Sequence, residues 1–140
     1  MANPNFELEV YKAFKTLLYG TVSHGGSTVT YYADKVGNST KGIYISGYQE
    51  QTEDTKDRFG ARVQVTITVF SQDDGKAVTN SIADSVRELV KASVTSNITS
   101  SGVDIVLTKS PRVLRFEDNE NGHHEHRVEL TYELLVYANS

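Results

Sequence analysis

The 140 residues predict an α+β domain of two layers, a mainly antiparallel sheet with two amphipathic helices packed on one face. Three observations carry this. Val (16), Ile (6) and Thr (14) give 36 β-branched residues against 9 Leu, a sheet-forming bias, because branching at Cβ restricts χ1 in a helix and suits a pleated surface. Two segments repeat apolar residues at helical spacing, each with a single stripe that must cover something. The best strand segments alternate apolar with polar residues, whereas strands of a doubly wound parallel sheet are buried on both faces and read as continuous apolar runs. With only 38% hydrophobic residues, one sheet face is expected to be solvated or covered by another chain.

Each element has a local cause. Asn3 can cap a helix with Pro4 at its first position, followed by Phe6, Val10, Phe14, Leu17 and Leu18 at helical spacing and ended by Gly20. Residues 21–27, with His24-Gly25-Gly26, read as a loop into a short strand, 28–33, and a second strand follows at 43–48. Residues 49–58 are all polar or charged and read as a mobile loop or an exposed edge. The clearest strand is 61–71, where Val63, Val65, Ile67 and Val69 alternate with Arg62, Gln64, Thr66 and Thr68, one face core and the other wet. Ser and Asp residues in 71–75 can cap a second helix with the stripe Val78, Ile82, Val86, Leu89 and Val90. Val65, Ile67, Val86 and Leu89 are expected in the core.

Residues 91–102, rich in Ser and Thr, read as a fraying helix end and linker, followed by strands near 103–108 and 113–117 and a turn-rich tip at 118–122. The last segment, 125–138, sets Val128, Leu130, Tyr132, Leu134 and Val136 against Arg127, Glu129, Thr131 and Glu133. Fully extended it spans about 46 Å, longer than the diameter of about 37 Å expected for this length, so it is expected to bend or to project toward a neighbouring chain. No repeat, low-complexity tract or domain boundary is visible, and 1–140 read as one domain.

Composition excludes whole classes of chemistry. Without cysteine there is no disulfide framework, thiolate zinc site or cysteine nucleophile. A net charge of −4 argues against a generic grip on nucleic-acid phosphate, which needs clustered Lys and Arg. The first 20 residues hold no uninterrupted apolar stretch, so neither a secretory signal nor a membrane span is expected. Synthesis in a cytoplasm follows, and the sequons at Asn38 and Asn97 are then chance matches.

Candidate sites are few. His123, His124, Glu125 and His126 form the only cluster that suggests a metal; His124 and His126 share a strand face, yet nothing visible orients their rings. No structural metal is expected, and a metal-dependent hydrolase using His124 and His126 is a remote alternative. His24-Gly25-Gly26-Ser27 is like an oxyanion segment, but no Gly-x-Ser-x-Gly elbow supplies a nucleophile. No phosphate-cradling or dinucleotide-binding glycine pattern occurs. Glu129 and Glu133 lie about 13 Å apart along their strand, too far for paired-carboxylate chemistry. Tyr31, Tyr32, Tyr44 and Tyr48 gather in two neighbouring strands, suited to sheet packing or to an interface. The chain has strong architecture and no catalytic motif, so it reads as a binding or assembly part without a cofactor.

The element order resembles the small tail-terminator, or tail-completion, proteins of long-tailed bacteriophages. Three stretches carry the likeness: the opening helix Phe6 to Leu18; the unit Arg62 to Ser71 followed by Ile82 to Val90; and the closing strand hairpin. One departure is Gly42-Ile43-Tyr44, where such proteins often have a Pro-Tyr pair. The resemblance implies a virion protein without catalysis, a homo-oligomeric ring, typically a hexamer, at the head-proximal end of the tail tube. It would stop tube growth, meet the tail-tube protein and a head connector or stopper, and pass DNA through its lumen without specific binding. A connector, a stopper or a tail-tube subunit is the alternative. The residues expected at the subunit or partner interface are Tyr44 and Tyr48, the loop charges Asp54, Lys56, Asp57 and Arg58, and Asn119, Glu120, Asn121 and His123 at the tip.

Overall fold

The computed structural model describes residues 6–20, 22–24, 27–32, 41–52, 60–72, 76–95, 99–100, 103–107, 111–118 and 125–138. In chain order the elements are α1 (Phe6–Leu18), β1 (Ser23–His24), β2 (Ser27–Thr28), β3 (Tyr31–Tyr32), β4 (Lys41–Thr52), β5 (Gly60–Ser71), α2 (Lys76–Thr95), β6 (Thr99–Ser100), β7 (Val103–Leu107), β8 (Arg112–Asp118) and β9 (Glu125–Ala138). β1 and β2 form a small hairpin of their own, and the other strands make one sheet in the order β3-β4-β5-β9-β7-β6, with β8 also paired to β9. Only the β3–β4 pair is parallel. The predicted α+β architecture is what the chain adopts.

α1 carries Glu7 and Glu9 in its first turn and Lys15 in its last, matching the helix dipole at both ends. It stops where the Tyr19 amide donates to the Lys15 carbonyl at 2.8 Å and Gly20 takes φ 74°, a left-handed conformation that a residue without Cβ adopts freely. Its stripe, Phe6, Val10, Ala13, Phe14 and Leu18, is buried. From α2, Ile82, Ala83, Val86 and Val90 enter the same cluster, as do Val63, Val65, Ile67 and Val69 of β5 and Val128, Leu130, Tyr132, Leu134 and Val136 of β9. Both helices thus cover one face of the sheet, here called inner. Leu89, expected in the core, is only half-buried and packs against the cluster's margin, because Val86 and Val90 point most directly at the sheet.

One expectation is narrowed and three need correction. Of the two readings of 49–58, residues 49–52 take the exposed edge: they continue β4, which pairs with β5 as far as Thr52 opposite Ala61. Residues 91–95 are the expected end of the second helix, whereas 99–100, expected as linker, form β6. The expected strand 28–33 is two short pieces, 27–28 and 31–32. And β9 does not project: β5 pairs with it from His126 to Tyr137 on one edge, while β7 takes 134–138 and β8 takes 125–131. Since β5 occupies one edge throughout, β7 and β8 follow one another along the other. The length that looked excessive for one strand serves three partners.

Candidate interaction surface

The outer face of the sheet, opposite the helices, changes character along the strands. At the end formed by Gly60 to Gln64 it is wet: Arg62 and Gln64 are exposed, and Arg62 Nη1 donates to Glu133 Oε1 at 3.2 Å. In the middle a hydroxyl pair, Thr66 and Thr131, meets at 3.1 Å. Thr68 Oγ1 then donates to Ser46 Oγ at 2.7 Å. Thr68, predicted to be wet, is 1% exposed, because the outer face becomes an aromatic corner here. Phe70 is fully buried, with the Tyr44 ring edge-on at 5.8 Å and the Tyr32 ring tilted at 6.2 Å.

The structure separates Tyr44 and Tyr48. Four residues apart on a regular strand they would share a face, but the register of β4 shifts between Ile45 and Gly47. The extra residue, Ser46, turns everything after it over. Tyr44 stays opposite Thr68 on the outer face, whereas Tyr48 lies opposite Val65 on the inner. There its ring meets Tyr11 of α1 edge-on at 5.7 Å, and its hydroxyl donates to Glu50 at 2.6 Å. Burial first, then that hydrogen bond and the negative charges of Glu50 and Glu7, hold the Tyr48 hydroxyl protonated far above its ordinary range. Beside it Leu8 and Tyr11 are exposed on α1. Sequence reasoning missed this flank, because nothing in the spacing of Leu8 and Tyr11 marks them as partners of a strand edge.

The opposite flank is β8. Its inner side faces a cleft of about 240 Å³ lined by Thr79, Asn80, Glu117, His126 and Val128 among others, and Arg115 Nε reaches across to Asn80 Oδ1 at 3.2 Å. On the outer side Leu114 and Phe116 are 40% and 41% exposed, and the Arg127 guanidinium lies over the Phe116 ring at 5.5 Å. Of the histidine cluster, His126 is buried at 7% exposure on the inner side. His123 and His124 lie outside the described residues, as do the interface candidates Asp54, Lys56, Asp57, Arg58, Asn119, Glu120 and Asn121. Among the described residues no group of three or more His, Asp or Glu side chains is placed to hold a metal, and no helix is long and apolar enough to cross a membrane.

No protein-family model matches the chain, and no curated protein matches it. Solved structures do. One of 17 matching chains belongs to the virion of a native gene transfer agent particle, with a TM-score of 0.57, 19% identity and coverage of 91% of both chains. At that identity the likeness establishes the fold, a two-layer arrangement shared over nearly the whole length of both proteins.

Proposed function

We propose that this chain is a structural component of a tailed, phage-like virion, acting as the ring that ends the tail tube at its head-proximal end and joins it to the head connector. The observation that carries this reading is the end-to-end fold likeness to a chain of a gene transfer agent virion, added to the element order described above. The protein works by surface complementarity and catalyses nothing. Its partners are further copies of itself, closing as a sixfold ring, the tail-tube protein and a connector or stopper. DNA passes through the lumen, and the net charge of −4 keeps phosphate from adhering. A ring of this kind follows when one patch meets a different patch on the next copy and the rotation closes.

The experiment is a particle-producing strain lacking only this protein. Overlong or headless tails are the expected result; tubes of normal length that join heads efficiently overturn the reading.

A further inference from the structure

We propose that neighbouring subunits of the assembled ring are joined through the sheet itself, β8 of one copy pairing antiparallel with the 47–52 stretch of β4 in the next. The proposal rests on the ring reading above and names the surfaces that close it. Among the described residues β8 pairs with β9 alone, and β4 beyond Tyr44 pairs with β5 alone. Each therefore offers a row of backbone donors and acceptors to a further strand.

Direction, face and charge agree. From β4 through β5 and β9 to β8 every pairing is antiparallel, so β4 and β8 run in opposite directions. Rotation about a ring axis to which the strands are inclined by well under a right angle preserves their sense along that axis, and β8 meets the next β4 antiparallel. Inner residues must stay inner, which sets Val113, Arg115 and Glu117 against the inner series Tyr48, Glu50 and Thr52. The register that places Arg115 opposite Glu50 joins opposite charges across the new ladder, with Glu7 adding to the negative side. On the outer face it lays Leu114 beside Gln51 and Phe116 beside Gln49, covering two exposed apolar side chains. Pairing β8 with its own copy at full overlap would instead put Arg115 opposite Arg115, which like charges oppose.

The stagger fits as well. Arg115 stands opposite Val128 on β9, whereas Glu50 is level, through Val63, with Leu134. That offset is about 20 Å along the strand, against about 19 Å for the width of four strands. The resulting angle of about 45° is in the range of strand tilt that a closed sheet requires.

The chain has no cysteine, so a designed pair is read without background. Carrying both Leu114→Cys and Gln51→Cys, the purified protein should give, on oxidation, a ladder of cross-linked oligomers ending in a closed species; neither single variant should. Arg115→Glu or Glu50→Arg alone should raise the concentration for half-assembly at least tenfold, and the two together should restore it. Circular dichroism of each variant checks that it folds, and Glu50→Arg stands in if Arg115→Glu does not. Dimers from Leu114→Cys alone, or no cross-link from the double variant, overturn the proposal. Closed rings seen by mass without the cross-link overturn the edge pairing and leave the ring reading intact. Cross-linked rings from a protein whose loss leaves tails normal support the edge pairing and remove the terminator role.

Discussion

The two faces of the β5–β9 pair are built on different rules. On the inner face Val63, Val65, Ile67 and Val69 lie beside Val128, Leu130, Tyr132, Leu134 and Val136, all but closed to solvent under the helices. Among the described residues no helix covers the outer face, and it grades from the exposed Arg62–Glu133 pair through hydroxyl bonds to the buried aromatic corner around Phe70. One face is a core throughout; the other is a core at one end only. The outer face therefore contributes stability near β3 and leaves its other end to solvent or partners.

The largest expected effects test whether that corner is a true second core. Phe70→Ala should cost about 3–5 kcal/mol, like a core aromatic, and Ile67→Ala on the inner face about 2–5 kcal/mol. Leu89→Ala, at the margin of the inner cluster, should cost less than either. Denaturant midpoints measure all three. A Phe70→Ala protein as stable as the parent would mean that the outer face is surface from end to end.

Alternation in 61–71 made the inner face legible from residues alone, since Val63, Val65, Ile67 and Val69 can share only one side of a strand. The same pattern hid the outer corner. Thr68 read as solvent-facing because it is polar, and only its tertiary neighbours, Ser46, Tyr44 and Phe70, bury it. The tyrosine positions were visible, but not their parting to opposite faces, because a one-residue bulge at Ser46 leaves no period to detect. Free edges are likewise a property of the whole sheet. That β8 and the end of β4 lack outer partners among the described residues follows from strand order, which a one-dimensional pattern does not contain. Most of the expected loop interface, from Asp54 to Arg58 and Asn119 to His123, lies outside the described residues and remains an expectation.

A smaller effect tests how tightly the corner is fastened to β4. A Cβ at position 42 would run into the Tyr32 ring and lie 3.1 Å from the Thr30 carbonyl oxygen. The ring can swing away, but only by leaving Phe70, and the carbonyl is tied down because it accepts from the Ile43 amide at 3.0 Å. Gly42→Ala should therefore destabilise by about 1–3 kcal/mol, seen as a lower denaturant midpoint. This close approach is a physical reason for glycine at position 42. At the wet end, Arg62→Ala removes one ion pair whose arginine is half-exposed and should cost less than about 1 kcal/mol, with the difference vanishing in high salt.

The smallest effect at neutral pH should come from the inner face itself. The Tyr132 hydroxyl is buried among the described residues without a hydrogen-bond partner, so its polar atom is desolvated and uncompensated. Tyr132→Phe keeps the ring and removes that penalty, and should change stability by less than about 1 kcal/mol, in the stabilising direction. The contrast appears at alkaline pH. Burial, only partly offset by the charge of Arg87, raises the Tyr132 hydroxyl above its ordinary 10.0. In the unfolded chain it ionises near that ordinary value while the folded protein still holds the proton. Its contribution is thus complete below pH 10 and is lost as pH rises from there toward the folded value. Melts in denaturant between pH 9 and pH 11 should fall less steeply for Tyr132→Phe than for the parent, with Tyr48 and Tyr31, whose hydroxyls burial also raises, sustaining the remaining slope. Parallel slopes would mean that water reaches Tyr132 and that the inner face is less closed than the outer corner.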